Sequence, residues 1–180
     1  MARFLYTLLF YLVQPLVWLR LYWRSLRAPA YRRRMRERYG HYVHIEVPAA
    51  PCLWLHAVSV GETIAAVPLV RRLKSDYPTL SIVMTTMTPT GADQVLKQLG
   101  DLVIHVYAPY DLPTAVARFL AHFKPRALVI METELWPNTI ALCKARGVPV
   151  VLANGRLSEK SARGYSRFQS LAGPMLAALD

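Results

Sequence analysis

Two glutamate-bearing motifs hold most of the chemistry this sequence offers. In Ser59-Val-Gly-Glu62 the serine and the glutamate stand three apart, ahead of a helix-like run. That spacing fits a capping box, with the Ser59 hydroxyl on the amide of residue 62 and the Glu62 carboxylate returning to the amide of residue 59. It equally fits a general base, a carboxylate held within hydrogen-bond reach of a substrate hydroxyl. The positive end of a helix would lower the Glu62 pKa, keeping it ionised but weakening it as a base. Gly61 lets a ligand approach the backbone, and the neighbouring amides can hold an anion. The spacing is not Gly-x-Gly-x-x-Gly and there is no Walker lysine motif, so neither nucleotide fingerprint is present.

The second motif, Glu132-Thr-Glu134, follows an apolar run and precedes Trp136-Pro137. Carboxylates placed there are costly unless they meet a base, a sugar hydroxyl or solvent. No aspartate or histidine cluster of metal spacing accompanies them, so no metal site is expected. His56 closes an apolar run; it is either a satisfied structural histidine or a group that orients a substrate or Glu62. Thr88-Pro89 reads as an N-cap and first helical residue, which leaves the Thr85 and Thr86 hydroxyls free for a ligand. In the stretch that begins at Asn154, the side chains of Arg156, Lys160 and Arg163 could clamp a phosphate or carboxylate, although a solvated loop and helix face would look similar.

These residues must be positioned by a repeating strand–helix chain. Apolar runs at 52–57, 80–85, 102–106, 127–131 and 148–153 alternate with helix-like segments at 62–74, 89–99, from about 111 to 123, and 137–146. Five such strands separated by helices predict a Rossmann-like α/β fold, a parallel sheet with helices on both faces. Every candidate residue up to Asn154 falls at or just after the carboxyl end of a strand, whereas the opposite turns are plain: Tyr77-Pro78, Lys124-Pro125, Gly147-Val-Pro149. Ligands bind at the carboxyl edge of such sheets, so that asymmetry marks the working edge. Residues 41–47 alternate and read as an edge strand or a connection. Residues 155–164 read as a loop, and the helical stretch after them, which has no C-cap before Asp180, is expected to be frayed or exposed.

Composition sets the bounds. The chain has 180 residues, 54% hydrophobic and 18% charged, with a formal charge of +11, which excludes a disordered chain. Nine arginines and one glutamate lie in residues 1–40, so most of the charge excess is there. A nucleic-acid binder spreads its basic residues over a folded face; here they follow the apolar run Phe4–Leu19, which fits contact with anionic lipid on the cytoplasmic side of a membrane. At sixteen residues the run is short of the roughly 20 that cross a bilayer upright. A membrane-embedded or re-entrant anchor, an interfacial amphipathic helix and a helix packed on soluble protein all remain open. The organisation expected is a membrane-anchoring arm over 1–40 and a Rossmann-like domain over 41–180. Cys52 and Cys143 read as buried free thiols.

His56-Ala-Val-Ser-Val-Gly-Glu62, Thr86-Met-Thr-Pro-Thr-Gly91, Glu132-Thr-Glu-Leu-Trp-Pro-Asn138 and Asn154-Gly-Arg-Leu-Ser158 resemble, in the same order, the N-terminal half of the 3-deoxy-D-manno-octulosonic acid (Kdo) transferases of lipopolysaccharide synthesis. The resemblance implies a two-domain GT-B glycosyltransferase. It implies inverting transfer of Kdo from CMP-Kdo, the donor substrate, to lipid A precursor (lipid IVA), at the cytoplasmic face of the inner membrane and with no cofactor. It places the catalytic base at Glu62 and a second residue implicated in activity at Glu132, with the other candidates around the acceptor. Gly155 departs from the alanine common in the family. The donor-binding C-terminal domain, through which CMP-Kdo would be held, is expected to lie outside this sequence, so these 180 residues alone are expected to be inactive. A membrane-attached GT-B transferase with another sugar donor, or a non-catalytic α/β docking module, would share the fold.

Overall fold

Apolar runs without polar alternation become strands covered on both faces, and that is how this chain folds. The computed structural model describes residues 1–48, 52–155 and 159–180, with the side chains of residues 159–162 outside the described set. Its strands are β1 (Cys52–His56), β2 (Ser81–Thr86), β3 (Ile104–Tyr107), β4 (Ala127–Met131) and β5 (Val150–Ala153). They make one sheet in the order β3-β2-β1-β4-β5, parallel throughout. The helices are α1 (Ala2–Arg27), α2 (Val60–Asp76), α3 (Pro89–Leu99), α4 (Pro113–Phe123), α5 (Pro137–Ala145), α6 (Glu159–Arg167) and α7 (Gln169–Leu176).

Two cores flank the sheet. On one face Ala66 and Val70 of α2 and Val95 and Leu99 of α3 pack on Leu55, Ile82 and Met84. On the other, Val116, Phe119 and Phe123 of α4, Ile140 and Cys143 of α5, and Met175 of α7 pack on Trp54, Leu128 and Ile130. Strand order reverses between β1 and β4, and register sets His56 beside Thr85 on one side and Ile130 on the other. The carboxyl end of that β1/β4 pair is the topological switch point, where open α/β sheets hold ligands.

Two segments differ from the sequence reading, and a third is decided between its two alternatives. Residues 41–47 are the connection and not an edge strand: Ile45 closes a turn on the Tyr42 carbonyl, and Tyr42 is buried against Phe119 and Phe123. Helix α6 begins inside the stretch expected to be a loop and carries Gly164 in its interior. Asp180 is docked, its carboxylate accepting the Val150 amide at 2.9 Å and its own amide donating to the Val150 carbonyl. The two contacts hold the expected frayed end against β5.

Helix α1 lies along the domain. Thr7 donates to Asn138 Oδ1, the Tyr11 and Thr114 hydroxyls meet at 3.2 Å, and Tyr39 donates to Gln14 Oε1. Phe10, Val17 and Leu21, on the same face, pack against Tyr110, Leu112 and Ala115. The opposite face is apolar and bare: Leu5, Leu9, Leu12, Leu16, Leu19 and Trp23 are each 57–68% exposed. Beyond α1 the basic stretch is partly consumed inside the fold. Glu37, fully buried, accepts from Arg34 Nε and the Tyr107 amide and pairs with His44. Arg38, 1% exposed, donates to the Met87 carbonyl and lies 4.3 Å over the Tyr107 ring. Packing is therefore continuous across residue 40, where the sequence reading divides arm from domain.

Candidate active site

Ser59 ends the β1 turn in extended conformation and caps α2, accepting the Glu62 amide at 3.3 Å. The Glu62 carboxylate does not return to the Ser59 amide as a standard box would. One oxygen takes the Val58 amide and the other the Ser59 hydroxyl, each at 2.8 Å. Glu62 is thus fixed in place and 4% exposed. Its pKa is raised: burial pushes it up, the Ser59 and Val58 hydrogen bonds pull it back, and the charges of Glu134 and Glu132 push it up again. The sequence-level expectation of a pKa lowered by the helix end is overturned, because loss of solvent outweighs the local donors. A raised carboxylate pKa is what a general base needs near neutral pH. Gly61 is exposed beside it, and a Cβ there would meet only Ser59 Oγ, at 3.9 Å, so nothing in the described packing fills that approach.

The second carboxylate pair comes from the turn after β4. Glu132 has φ +58°, a left-handed conformation that costs a residue bearing a Cβ about 1–2 kcal/mol. Its amide donates to the Ala153 carbonyl at 2.9 Å, and Asn154, the next residue on β5's side, is also left-handed at φ +53°. Glu134 accepts from Trp136 Nε1 at 3.1 Å, and the Trp136 ring stands edge to face with His56 at 4.5 Å. His56, Ser59, Gly61, Glu62, Glu132, Glu134 and Asn154 are therefore gathered at one end of adjacent strands β1, β4 and β5. Among the described residues no group of three or more His, Cys, Asp or Glu side chains could hold a metal ion.

Thr85 and Thr86 are completely buried, and their hydroxyls are used within the fold. Thr86 Oγ1 lies 2.9 Å from His105 Nε2. Thr85 Oγ1 accepts the Trp54 indole proton at 2.9 Å and lies 2.9 Å from His56 Nδ1 and 3.5 Å from the Leu55 carbonyl. His56 Nε2 is buried without a hydrogen-bond partner beside Trp136. Burial holds the imidazole pKa down at about 3, so the ring is neutral. His56, at 1% exposure, reaches the carboxylates through Trp136. Arg163 is exposed on α6; Arg156 and the Lys160 side chain lie outside the described residues.

Sequence reasoning missed Trp136 and Asp111. Helix α5 starts at Trp136-Pro137, and tryptophan cannot cap. The cap arrives from another loop: buried Asp111 accepts the Asn138 and Thr139 amides and the Thr139 hydroxyl at 2.7–3.0 Å. A helix beginning without its own cap residue was the available signal.

Residues 33–180 match the sequence profile of the 3-deoxy-D-manno-octulosonic-acid transferase (kdotransferase) family. The chain belongs to this family. A 3-deoxy-D-manno-octulosonic acid transferase of Haemophilus influenzae is 46% identical over 170 residues, covering 94% of this chain and 40% of that protein. A probable mitochondrial 3-deoxy-D-manno-octulosonic acid transferase of Arabidopsis thaliana is 42% identical, covering 90% of this chain and 36% of its own length. The Bordetella pertussis transferase is 36% identical, covering 100% and 43%. The chain thus spans about two fifths of the length of these relatives. Its fold is shared with a UDP-GlcNAc 2-epimerase from Neisseria meningitidis bound to UDP-GlcNAc, at TM-score 0.50 and 14% identity, over 72% of this chain and 39% of that one.

Proposed function

We propose that this chain supplies the acceptor site and the catalytic base of a GT-B glycosyltransferase that moves Kdo from CMP-Kdo to the lipid A precursor. The carrying observation is the fixed, buried Glu62 at the β1/β4 switch point, its pKa raised by burial and by the two neighbouring glutamates. Glu62 removes the proton of an acceptor sugar hydroxyl as that oxygen forms its bond to the anomeric carbon of Kdo. The bond from that carbon to the cytidine monophosphate oxygen breaks with inversion, and the leaving phosphate is stabilised by the donor domain. Proton and leaving group are both accounted for without a metal or cofactor. Glu132 and Glu134 face the acceptor and hold its hydroxyls, with Asn154 beside them. Arg156, Lys160 and Arg163 are the proposed cations for its phosphates.

The bare face of α1 fits a membrane location. Burying six large apolar side chains in lipid is worth on the order of 10 kcal/mol. Because the other face is bonded to the domain along its length, we place α1 in the plane of the membrane, at the cytoplasmic face of the inner membrane, with acyl chains of the acceptor against it. A cleft of about 410 Å³ lined by Tyr6 of α1, Leu135, Pro137, Tyr165 and Phe168 runs from that helix to the Glu132–Pro137 turn. The test is full-length protein with CMP-Kdo and lipid IVA, products resolved by mass. Kdo-bearing lipid with stoichiometric release of cytidine monophosphate is expected. Transfer from a different nucleotide sugar, with none from CMP-Kdo, would overturn the donor assignment.

A further inference from the structure

We propose that the groove between the C-terminal half of α1 and residues 35–43 binds the phosphate headgroup of an anionic phospholipid. This site is separate from the carboxylate site, and the proposal rests on the reading that α1 lies on the bilayer. The groove has a volume of about 460 Å³ and is lined by Trp18, Met35, Arg36, Tyr39, His41 and Val43. Trp18 stacks on Tyr39 at 5.7 Å and 18° and forms one wall. Arg118 donates to the Tyr39 carbonyl at 3.1 Å and lies 3.2 Å from His41 Nε2. A guanidinium has no acceptor, so Nε2 accepts and the His41 proton sits on Nδ1, available as a donor. Arg36 is exposed, and no hydrogen bond, ion pair or ring contact engages its guanidinium among the described residues. The nearest acid in sequence, Glu37, is buried and committed to Arg34, His44 and the Tyr107 amide.

Among the described residues no carboxylate lines this groove; Arg36 lines it, and Arg118 is bonded to its Tyr39–His41 wall. That arrangement complements a phosphodiester, whose oxygens make charge-assisted hydrogen bonds with arginine. Tryptophan and tyrosine beside arginine are the side chains that settle at headgroup depth. The apolar walls favour a lipid over a free ion: Val43 is 88% exposed, and a second cavity of about 340 Å³, sharing Trp18 and Met35, continues past Leu21, Tyr22 and Tyr31. Helix α1 meets the catalytic turn at Tyr6, so Trp18 lies about 18 Å further along it at 1.5 Å per residue. One helix would thus set the catalytic turn at one end and seat a bilayer phosphate at the other.

The probe is dihexanoyl phosphatidylglycerol, titrated below its micellar concentration into full-length protein and followed at the Trp18 indole N–H by NMR. Saturable binding is expected. Arg36→Gln, which removes no contact from the fold, and Arg118→Gln should each weaken it at least tenfold. Arg33→Gln, an exposed charge outside the groove, should change it less than twofold. Equal losses for Arg33→Gln and Arg36→Gln would mean diffuse attraction to charge and would overturn the site. Equal binding of dihexanoyl phosphatidylcholine, or displacement by inorganic phosphate at matching concentration, would overturn the anionic-lipid assignment. Flotation on phosphatidylcholine vesicles reads the apolar face of α1 separately. Its failure would remove the in-plane membrane reading, while the soluble-lipid titration would still decide the headgroup site.

Discussion

Replacing Glu62 by glutamine separates its two duties, because the structure shows what each needs. The carboxylate holds the Val58 amide and the Ser59 hydroxyl. In glutamine, Oε1 can keep the Val58 amide while Nε2 donates to Ser59 Oγ, whose own proton turns away. The Glu62 amide keeps its contact with Ser59 Oγ, so no buried polar atom is orphaned and the 1–3 kcal/mol penalty of an unmade bond, roughly, is avoided. What disappears is a charge near a helix N-terminus, worth roughly 0.3–1 kcal/mol. Opposing that loss, the variant no longer ionises a buried group next to two other glutamates. The folded-state pKa of Glu62 is raised, so its contribution to stability is full at acid pH and lost as pH rises through that pKa. Glutamine suffers no such loss. At pH 7 the melting temperature should stay within about 2–4 °C of wild type, equivalent to about 1 kcal/mol, and the difference should move in wild type's favour as pH falls. Transfer under single-turnover conditions should fall by about 10²–10⁴ with acceptor affinity little changed. A glutamine variant within tenfold of wild-type turnover, with chemistry rate-limiting, would falsify the base assignment and move it to Glu132.

Three further outcomes are expected. Asp111→Ala strands two amides and a hydroxyl at the start of α5, and should cost at least about 3 kcal/mol in urea unfolding, since each unmet buried donor costs about 1–3 kcal/mol. Glu37→Ala leaves the buried Tyr107 amide without its acceptor, while Arg34 keeps its bonds to His105, and should cost about 1–3 kcal/mol in the same experiment; no loss at all would show that Glu37 is dispensable. His56 and His105 are both held at about 3 by burial, so the stability of their neutral rings is intact above pH 6.5, roughly, and is lost as pH falls toward 3. By pH 5.5 the two together should cost about 3 kcal/mol, and His105→Asn should flatten half of that slope.

The strands and most helix starts were legible because their signals are local. An apolar run between Pro/Gly turns and the Ser59 and Thr88 caps state their own geometry within a few residues. The carboxylate edge was legible for a related reason: in a parallel sheet every carboxyl end lies on the same side, so sequence order alone gathers Glu62, Glu132, Glu134 and Asn154. What escaped depends on contacts distant in the chain. Thr85 and Thr86 look like free hydroxyls until Trp54, His56 and His105 are placed beside them. Arg34 and Arg38 look like two more lipid-facing charges in a basic run, and only Glu37, the lone acid among them, hints that part of the run is folded inward. The strand edges at β3 and β5 came late by two residues because Gly100–Leu102 and Gly147–Pro149 are spent in turns.

Asp111 ties helix α1 to the turn that carries the candidate carboxylates. Its carboxylate caps α5, whose first residues follow directly from Glu134-Leu-Trp136, and Tyr6 of α1 faces the same carboxylate. Asn138, held at the Asp111 carbonyl, in turn accepts from Thr7. From there the path continues through Trp136 to Glu134 and, by charge, to Glu62. The hydrogen-bonded links are 2.7–3.1 Å long and the last link is electrostatic, so a shift of α1 can be passed to the turn. A helix tethered to the bilayer through independent contacts would need none of these bonds. Their presence argues that, on the proposed in-plane reading of α1, the helix also sets the height of the carboxylates above the membrane.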